Sequence, residues 1–297
     1  MKFDVVYTWV DGDDPEYIQK CNRYANKKRD LNPERYRDNL HLLKYSIRSL
    51  SSFFDQYNHL YLVTTRPQKP DWIDVDHPKI TLVHHDEFIP EKYLPTFSSN
   101  VIESFLHLIP GLSEHFLYMN DDFLFGDDVR METFFRNGRY KIYNTLFGEN
   151  LRWRIYDGHQ DVFGLGLIEH APLFIKKEFW EAAYALFPEE SEATRSHRFR
   201  KDTDIFPLKL YRYYMLKHQR ELSDPVKLPE MLRISHFHKL MNQPEKQKRF
   251  FEKFRSKFPQ FYCLNDDMGD EPHPEVVQAV RSFLEEKYSE KSEFEMG

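Results

Sequence analysis

The chain has 297 residues, enough to bury a sizeable core as one large domain or two small ones. With 40% hydrophobic and 30% charged residues it is too apolar for a disordered chain, and a formal net charge of −6 argues against a nucleic-acid partner. Any phosphate-bearing ligand must therefore be held by local Arg, Lys or a metal ion, not by a global basic field. Aromatic residues reach 16%, mostly Phe and Tyr, and supply core mass as well as walls for planar or sugar ligands. Cys21 and Cys263 lie far apart and offer neither metal-ligand spacing nor a disulfide framework, which points to a reducing compartment. No apolar run approaches the roughly 20 residues of a spanning helix, and Met1 leads directly into a strand-like run. A soluble, cytoplasmic protein is expected.

In chain order, Phe3–Val10 reads as a buried strand ending in the acidic turn Asp11-Gly12-Asp13-Asp14-Pro15. Leu40, Leu43, Ile47, Leu50 and Phe54 carry helical spacing within Glu34–Phe54. His59–Thr64 and Lys79–Val83 are two further strands. Ser98 or Ser99 caps a helix that runs to about Leu108 and contains Glu103. His115–Met119 is a fourth strand, followed at once by Asn120-Asp121-Asp122. From about Glu149 the pattern turns mostly helical, with helices near Lys176–Phe187, Asp204–Lys217, Glu245–Phe258 and Pro274–Tyr288. This alternation predicts an α/β fold: an open, Rossmann-like sheet with helices on both faces and a mostly helical C-terminal half. Residues 1–148 and 149–297 are read as two halves of one catalytic domain.

Ligands of such sheets sit beyond the carboxyl ends of the strands. Two of those ends carry acidic turns, Asp11–Asp14 and Asp121-Asp122. Adjacent carboxylates repel, and a divalent cation relieves the cost; the alternative is an ordinary solvated turn. A second Asn-Asp-Asp, Asn265–Asp267, follows the apolar Phe261–Leu264 run and could converge on the same metal, or be a chance recurrence among 48 acids. His170 lies in a turn-like segment and could be a general base, although with 14 histidines any one could be structural. His197-Arg198-Phe199-Arg200 precedes a helix, and Arg200 could hold a phosphate bidentately or be a surface charge. His236-Phe237-His238 reads as a strand that is structural or part of a pocket wall. The basic, aromatic stretch Lys246–Lys257 could touch an anionic membrane surface, or be a solvated helix face with its Phe residues in the core. There is no GxxxxGK[ST], GxGxxG or GxSxG motif.

The strings DVVYTWVDGDDP from Asp4, LKYSIRSL from Leu43, HLYLVTT from His59, LPTFSSNVIESFLHLIPGLSEHFLYMNDDFLFG from Leu94 and CLNDD from Cys263 resemble the Stealth family. Its members include bacterial capsular-polysaccharide phosphotransferases and the animal lysosomal-enzyme N-acetylglucosamine-1-phosphotransferase. The resemblance implies a nucleotide-sugar transferase type of fold. It further implies transfer of a sugar 1-phosphate from a nucleotide diphosphate sugar, UDP-linked for preference, to a glycan acceptor hydroxyl. Carried over by position, Asp4, Tyr7, Thr8, Trp9 and Asp11 would line the nucleotide side, and Glu103 and His197 would complete the substrate contacts. Asp121, Asp122 and Asp266 would hold Mg²⁺ or Mn²⁺, while His170, Asp122 and Arg200 would act at the reacting phosphoryl group. The large insertions of animal members are absent, so a bacterial surface-glycan role is expected, with peripheral attachment at the inner face of the cell membrane as an option. The rivals are a metal-dependent glycosyltransferase that releases the nucleoside diphosphate and, in another class, a non-catalytic glycan-binding protein.

Overall fold

The computed structural model describes residues 1–32, 34, 36–145, 155–156, 158, 166–167 and 170–297. The expected division between residues 148 and 149 lies outside them. Val5, Val6 and Tyr7 of β1 (Asp4–Thr8) are all fully buried. Because successive strand side chains point to opposite faces, both faces of this strand are covered, as a parallel sheet requires. Helix α1 (Pro15–Tyr24) follows, then α2 (Leu42–Phe53). Strands β2 (Leu60–Thr64) and β3 (Ile80–His84) extend the sheet outward from β1, each parallel to its neighbour. After α3 (Ser99–Ser104) the chain returns to the other side of β1 as β4 (His115–Asn120), again parallel. The order of progression therefore reverses between β1 and β4, and their last residues, Thr8 and Asn120, are register partners at this switch point.

Helices cover both faces. The Tyr7 hydroxyl lies 3.0 Å from Ser46 of α2 on one face, while Thr8 Oγ1 lies 2.9 Å from the Tyr118 hydroxyl on the other, where Tyr118 bonds Glu103 of α3. Beyond the acidic corner, β5 (Phe123–Phe125) leaves the main sheet. A small sheet then forms from β6 (Phe135–Arg136) and β7 (Arg139–Ile142), and β8 (Asn144–Thr145) pairs with β9 (Gly166–Leu167). Strand β10 (Leu173–Lys176) adds to the edge of β4 in the antiparallel sense. Helices α4 (Lys177–Tyr184), α5 (Pro188–Arg195) and α6 (Pro207–His218) follow, then β11 (Ser223–Pro225) on β7 and α7 (Leu228–Ile234). The chain finishes with β12 (Ser235–Leu240), α8 (Pro244–Phe254), β13 (Phe261–Asp266) and α9 (Pro274–Lys287).

One expectation is extended and one corrected. The second half carries helices α4 to α9 and also supplies strands: β10 completes the main sheet, and β13 pairs antiparallel with β5 and parallel with β12. These pairings tie the two halves together. Helix α2 starts at Leu42, not near Glu34, because His41 has φ +53°, a left-handed conformation that a right-handed helix cannot include. Of the freed segment, Glu34 and residues 36–40 become a wall of the site.

The stretch Lys246–Lys257 forms most of α8, whose Phe251 and Phe254 are 2% and 9% exposed and packed into a core cluster with Phe283 of α9. Its aromatic residues thus serve packing, with the basic ones outside. Among the described residues no helix is long and apolar enough to cross a membrane. The C-terminal tail is pinned by a two-bond ion pair between Arg48 and Glu295, at 2.7 Å each.

Candidate active site

Strand β4 delivers Asn120 to the sheet's edge, and the turn to β5 carries Asp121 and Asp122. Antiparallel pairing of β5 with β13 then fixes what lies opposite. Cys263 is the register partner of Phe123, and Leu264 N donates to Asp122 O at 3.1 Å. The second Asn-Asp-Asp is thereby delivered beside the first: Asn265 Nδ2 lies 3.5 Å from Asp122 Oδ2, and Asn265, Asp266 and Asp267 line the same cavity as Asp121 and Asp122. That cavity has a volume of about 430 Å³.

Its electrostatics are dominated by buried acids. Burial, then the neighbouring Asp122 and Asp38, push the Asp121 carboxyl well above the usual carboxylate range. Asp38 is itself pushed up to about 7, chiefly by burial and against a hydrogen bond from Trp9 Nε1 at 3.1 Å. Glu103 is raised to about 7 by burial, opposed by Arg200, Tyr118 and Ser99. Arg200 reaches the site by bonding Ser99 Oγ at the start of α3. His170 stands before β10, with Nδ1 3.5 Å from Asp122 Oδ2 and its side chain 30% exposed. Cys263 Sγ donates to the same Asp122 oxygen at 3.1 Å.

The residues present fit a divalent cation. Asp122 Oδ1 is buried with no hydrogen-bond partner among the described residues, and burial, with the adjacent Asp122 and Asp38, disfavours ionisation of the neighbouring Asp121, a cost that a cation there would offset. Donor atoms of Asp122, His170 and Cys263 all lie within 4.8 Å of one another. Asp122 is the common member of both groupings, so it is the residue most directly placed to hold the ion. Cys263 enters only through β5–β13 pairing, which spacing along the chain could not reveal.

Of the residues singled out in the sequence, Thr8, Trp9, Glu103, Asp121, Asp122, His170, Arg200 and Asp266 all line this one cavity. Four others do not. Asp4 is at the amino end of β1, the wrong end of the sheet, and accepts from Asn58 Nδ2 at 2.9 Å and Ser113 N at 2.7 Å. Tyr7 points into the core against Ser46. Asp11 folds its own turn by accepting from Asp13 N at 2.9 Å. His197 is paired through Nδ1 with the buried Asp204 at 2.6 Å, away from the cavity wall. Asp266 is present but engaged: Arg37 Nε and Nη2 bind its two oxygens at 2.5 and 2.7 Å. Its carboxylate is first a counter-ion for Arg37, and the ligand role expected for it meets that competitor.

Sequence reasoning missed the segment Tyr36-Arg37-Asp38, absorbed into a helix by periodicity. One signal was available. Gly12 in the acidic turn has N 2.6 Å from Tyr36 O, and a Cβ there would fall 2.5 Å from the Tyr36 backbone. Such a close approach is what a glycine between acids permits.

Models of the Stealth protein conserved regions 1, 2, 3 and 4 match residues 1–29, 35–142, 169–217 and 252–297. The exopolysaccharide phosphotransferase SCO6023 of Streptomyces coelicolor is 32% identical over 98% of this chain and 52% of its own length. The exopolysaccharide phosphotransferase CpsY of Mycobacterium tuberculosis is 32% identical over 95% of this chain and 56% of its own. The capsular polysaccharide phosphotransferase CpsJ of Streptococcus thermophilus is 41% identical over 47% of this chain and 60% of its own. The chain thus spans about half the length of the first two. Galactosyltransferase LgtC, solved with donor and acceptor sugar analogs, aligns over 97% of this chain and 96% of its own with a TM-score of 0.47 and 11% identity, too distant for its chemistry to be transferred. With all four conserved regions present and in order, the chain belongs to the Stealth family.

Proposed function

We propose that this chain transfers a sugar 1-phosphate, of a hexose or N-acetylhexosamine, from a nucleotide diphosphate sugar to a hydroxyl of a glycan acceptor, in capsule or exopolysaccharide synthesis. A UDP-linked donor is the preferred form. The observation that carries the reading is the meeting of three chemistries in one cavity at the switch point: the Asp121-Asp122 pair, the His170 imidazole and the Arg200 guanidinium. The polysaccharide phosphotransferase names of the relatives support the reaction class.

In this reading the acceptor oxygen attacks the phosphorus that bears the sugar. A new P–O bond forms, the bond from that phosphorus to the bridging oxygen breaks, and the nucleoside monophosphate leaves with the electron pair. His170 takes the hydroxyl proton, a contribution worth about 10²–10⁴-fold. The Asp122 carboxylate beside its Nδ1 favours the imidazolium that results. Arg200 offers a fixed charge to the phosphoryl oxygens, as phosphoryl transfer depends mainly on positioning and electrostatics. Asp122, with Asp121 beside it, would hold Mg²⁺ or Mn²⁺, which when bound neutralises charge on the diphosphate. Trp9 and Thr8 face the donor in the same cavity. The two cysteines are buried and unpaired, in keeping with a cytoplasmic setting.

The test is the mass of the released nucleotide when the protein is incubated with Mg²⁺, a panel of nucleotide sugars and glycan acceptors. Nucleoside monophosphate is expected. Release of the diphosphate would instead establish glycosyl transfer through the anomeric carbon, and no release from any donor would overturn both.

A further inference from the structure

Strand β12 is the outer strand of the β12–β13–β5 sheet, and its side chains alternate between two environments. His236 and His238 turn toward α8, where both stack on Phe250, and His238 Nε2 lies 2.7 Å from Gln247 Oε1. Phe237 therefore points to the opposite face. There it is the register partner of Cys263, whose thiol meets Asp122 at 3.1 Å, so this is the active-site side of the sheet. The Phe237 ring lies 5.1 Å from the His170 ring, tilted by 38°, and yet it is 41% exposed. Phe123, which meets the same imidazole edge-on at 6.2 Å, is 0% exposed. Phe123 is core; Phe237 is not. Nor does Phe237 line the cavity assigned to the donor, where Trp9, Tyr17, Tyr36 and Phe97 supply the aromatic surface.

We propose that Phe237 is the platform on which the acceptor's sugar ring rests, through the apolar C–H face of a pyranose. The inference rests on the assignment of His170 as base. A base takes a proton only from within about 2.6–3.2 Å, so the reacting hydroxyl must lie against the imidazole. The ring that bears this hydroxyl is then brought onto the exposed aromatic surface beside it. A pyranose has an apolar face and a polar rim, the combination an aromatic face accepts without a hydrogen bond. Phe237 has no polar atom, so it selects for a ring face and not for one hydroxyl pattern.

The test uses methyl glucopyranoside, methyl galactopyranoside and methyl mannopyranoside as probes, with glycerol as a hydroxyl compound lacking a ring. Saturation-transfer NMR on the wild-type protein is expected to show contact to the ring C–H protons of at least one hexoside. In Phe237→Ala that signal disappears, and the preference in kcat/KM for this hexoside over glycerol falls roughly five- to tenfold. Phe237→Trp retains both, and circular dichroism shows that both variants are folded. Equal hexoside contact in Phe237→Ala and wild type, or no hexoside contact in wild type, overturns the proposal. His170→Gln separates it from the reading beneath it. If both are right, this variant binds the hexoside and loses transfer; if transfer persists, the base assignment falls while the platform stands on the binding data.

Discussion

The turns after β1 and β4 stand at adjacent ends of one sheet and are both crowded with acids, but only the second leaves a buried carboxylate oxygen unsatisfied. In the β1 turn, Asp14 caps α1 by accepting from Glu16 N at 2.7 Å and Tyr17 N at 3.0 Å, and Asp11 accepts from Asp13 N. Backbone amides of the same short segment satisfy the charge. In the β4 turn the chain runs straight into β5 and no helix begins; Asp121 accepts from backbone N–H groups of the turn, but Asp122 Oδ1 is left buried without a hydrogen-bond partner among the described residues. The comparison teaches that a carboxylate count does not mark a site. What marks it is a buried carboxylate oxygen that the surrounding protein leaves unsatisfied.

The strongest way to break this contrast is Asp122→Asn. It removes the carboxylate whose Oδ1 is buried without a hydrogen-bond partner, so nucleotide release is expected to fall about 10³-fold or more, while the melting temperature without metal holds or rises because repulsion with Asp121 is gone. A variant that loses both activity and fold would show the acid to be structural. His170→Ala comes next, with a loss of about 10²–10⁴-fold in kcat at saturating donor. Removing divalent ions with EDTA should abolish turnover, and Mg²⁺ added with the donor nucleotide should raise the melting temperature of the wild type but not of Asp122→Asn.

Glu103 sharpens the comparison through pH. Its carboxyl rises from an ordinary 4.5 to about 7 on folding, so the protonated form is favoured in the folded state. The stability this contributes is fully present below 4.5 and is lost as pH rises through about 7. Thermal melts of Glu103→Gln should lose that slope and gain on the wild type at pH 8. The smallest effect belongs to the other turn: Asp14→Ala removes a helix cap and should cost about 1 kcal/mol in denaturant unfolding, with transfer changed little. A large activity loss there would erase the distinction between the two turns.

Much of this was legible in the residues. The strands at Asp4–Thr8, Leu60–Thr64 and His115–Asn120 have continuous apolar centres, which only a sheet covered on both faces can bury, and Ile80–His84 extends that sheet at its edge. Given that sheet, Asn120-Asp121-Asp122 had to emerge at a carboxyl end, and the second Asn-Asp-Asp at the end of another apolar run was a fair candidate to join it. What could not be read were partners set by pairing across more than a hundred residues. The antiparallel alignment of β5 with β13 places Cys263 against Asp122. The left-handed His41 releases Tyr36-Arg37-Asp38 from the helix to form a wall, where Arg37 claims Asp266. Asp4 shows the converse: a residue at the head of a site motif lies at the far end of the strand, because a strand separates its two ends while a motif string does not. Periodicity records which side of an element is buried. Which groups meet at its end depends on strand order and register, and those are properties of the assembled sheet.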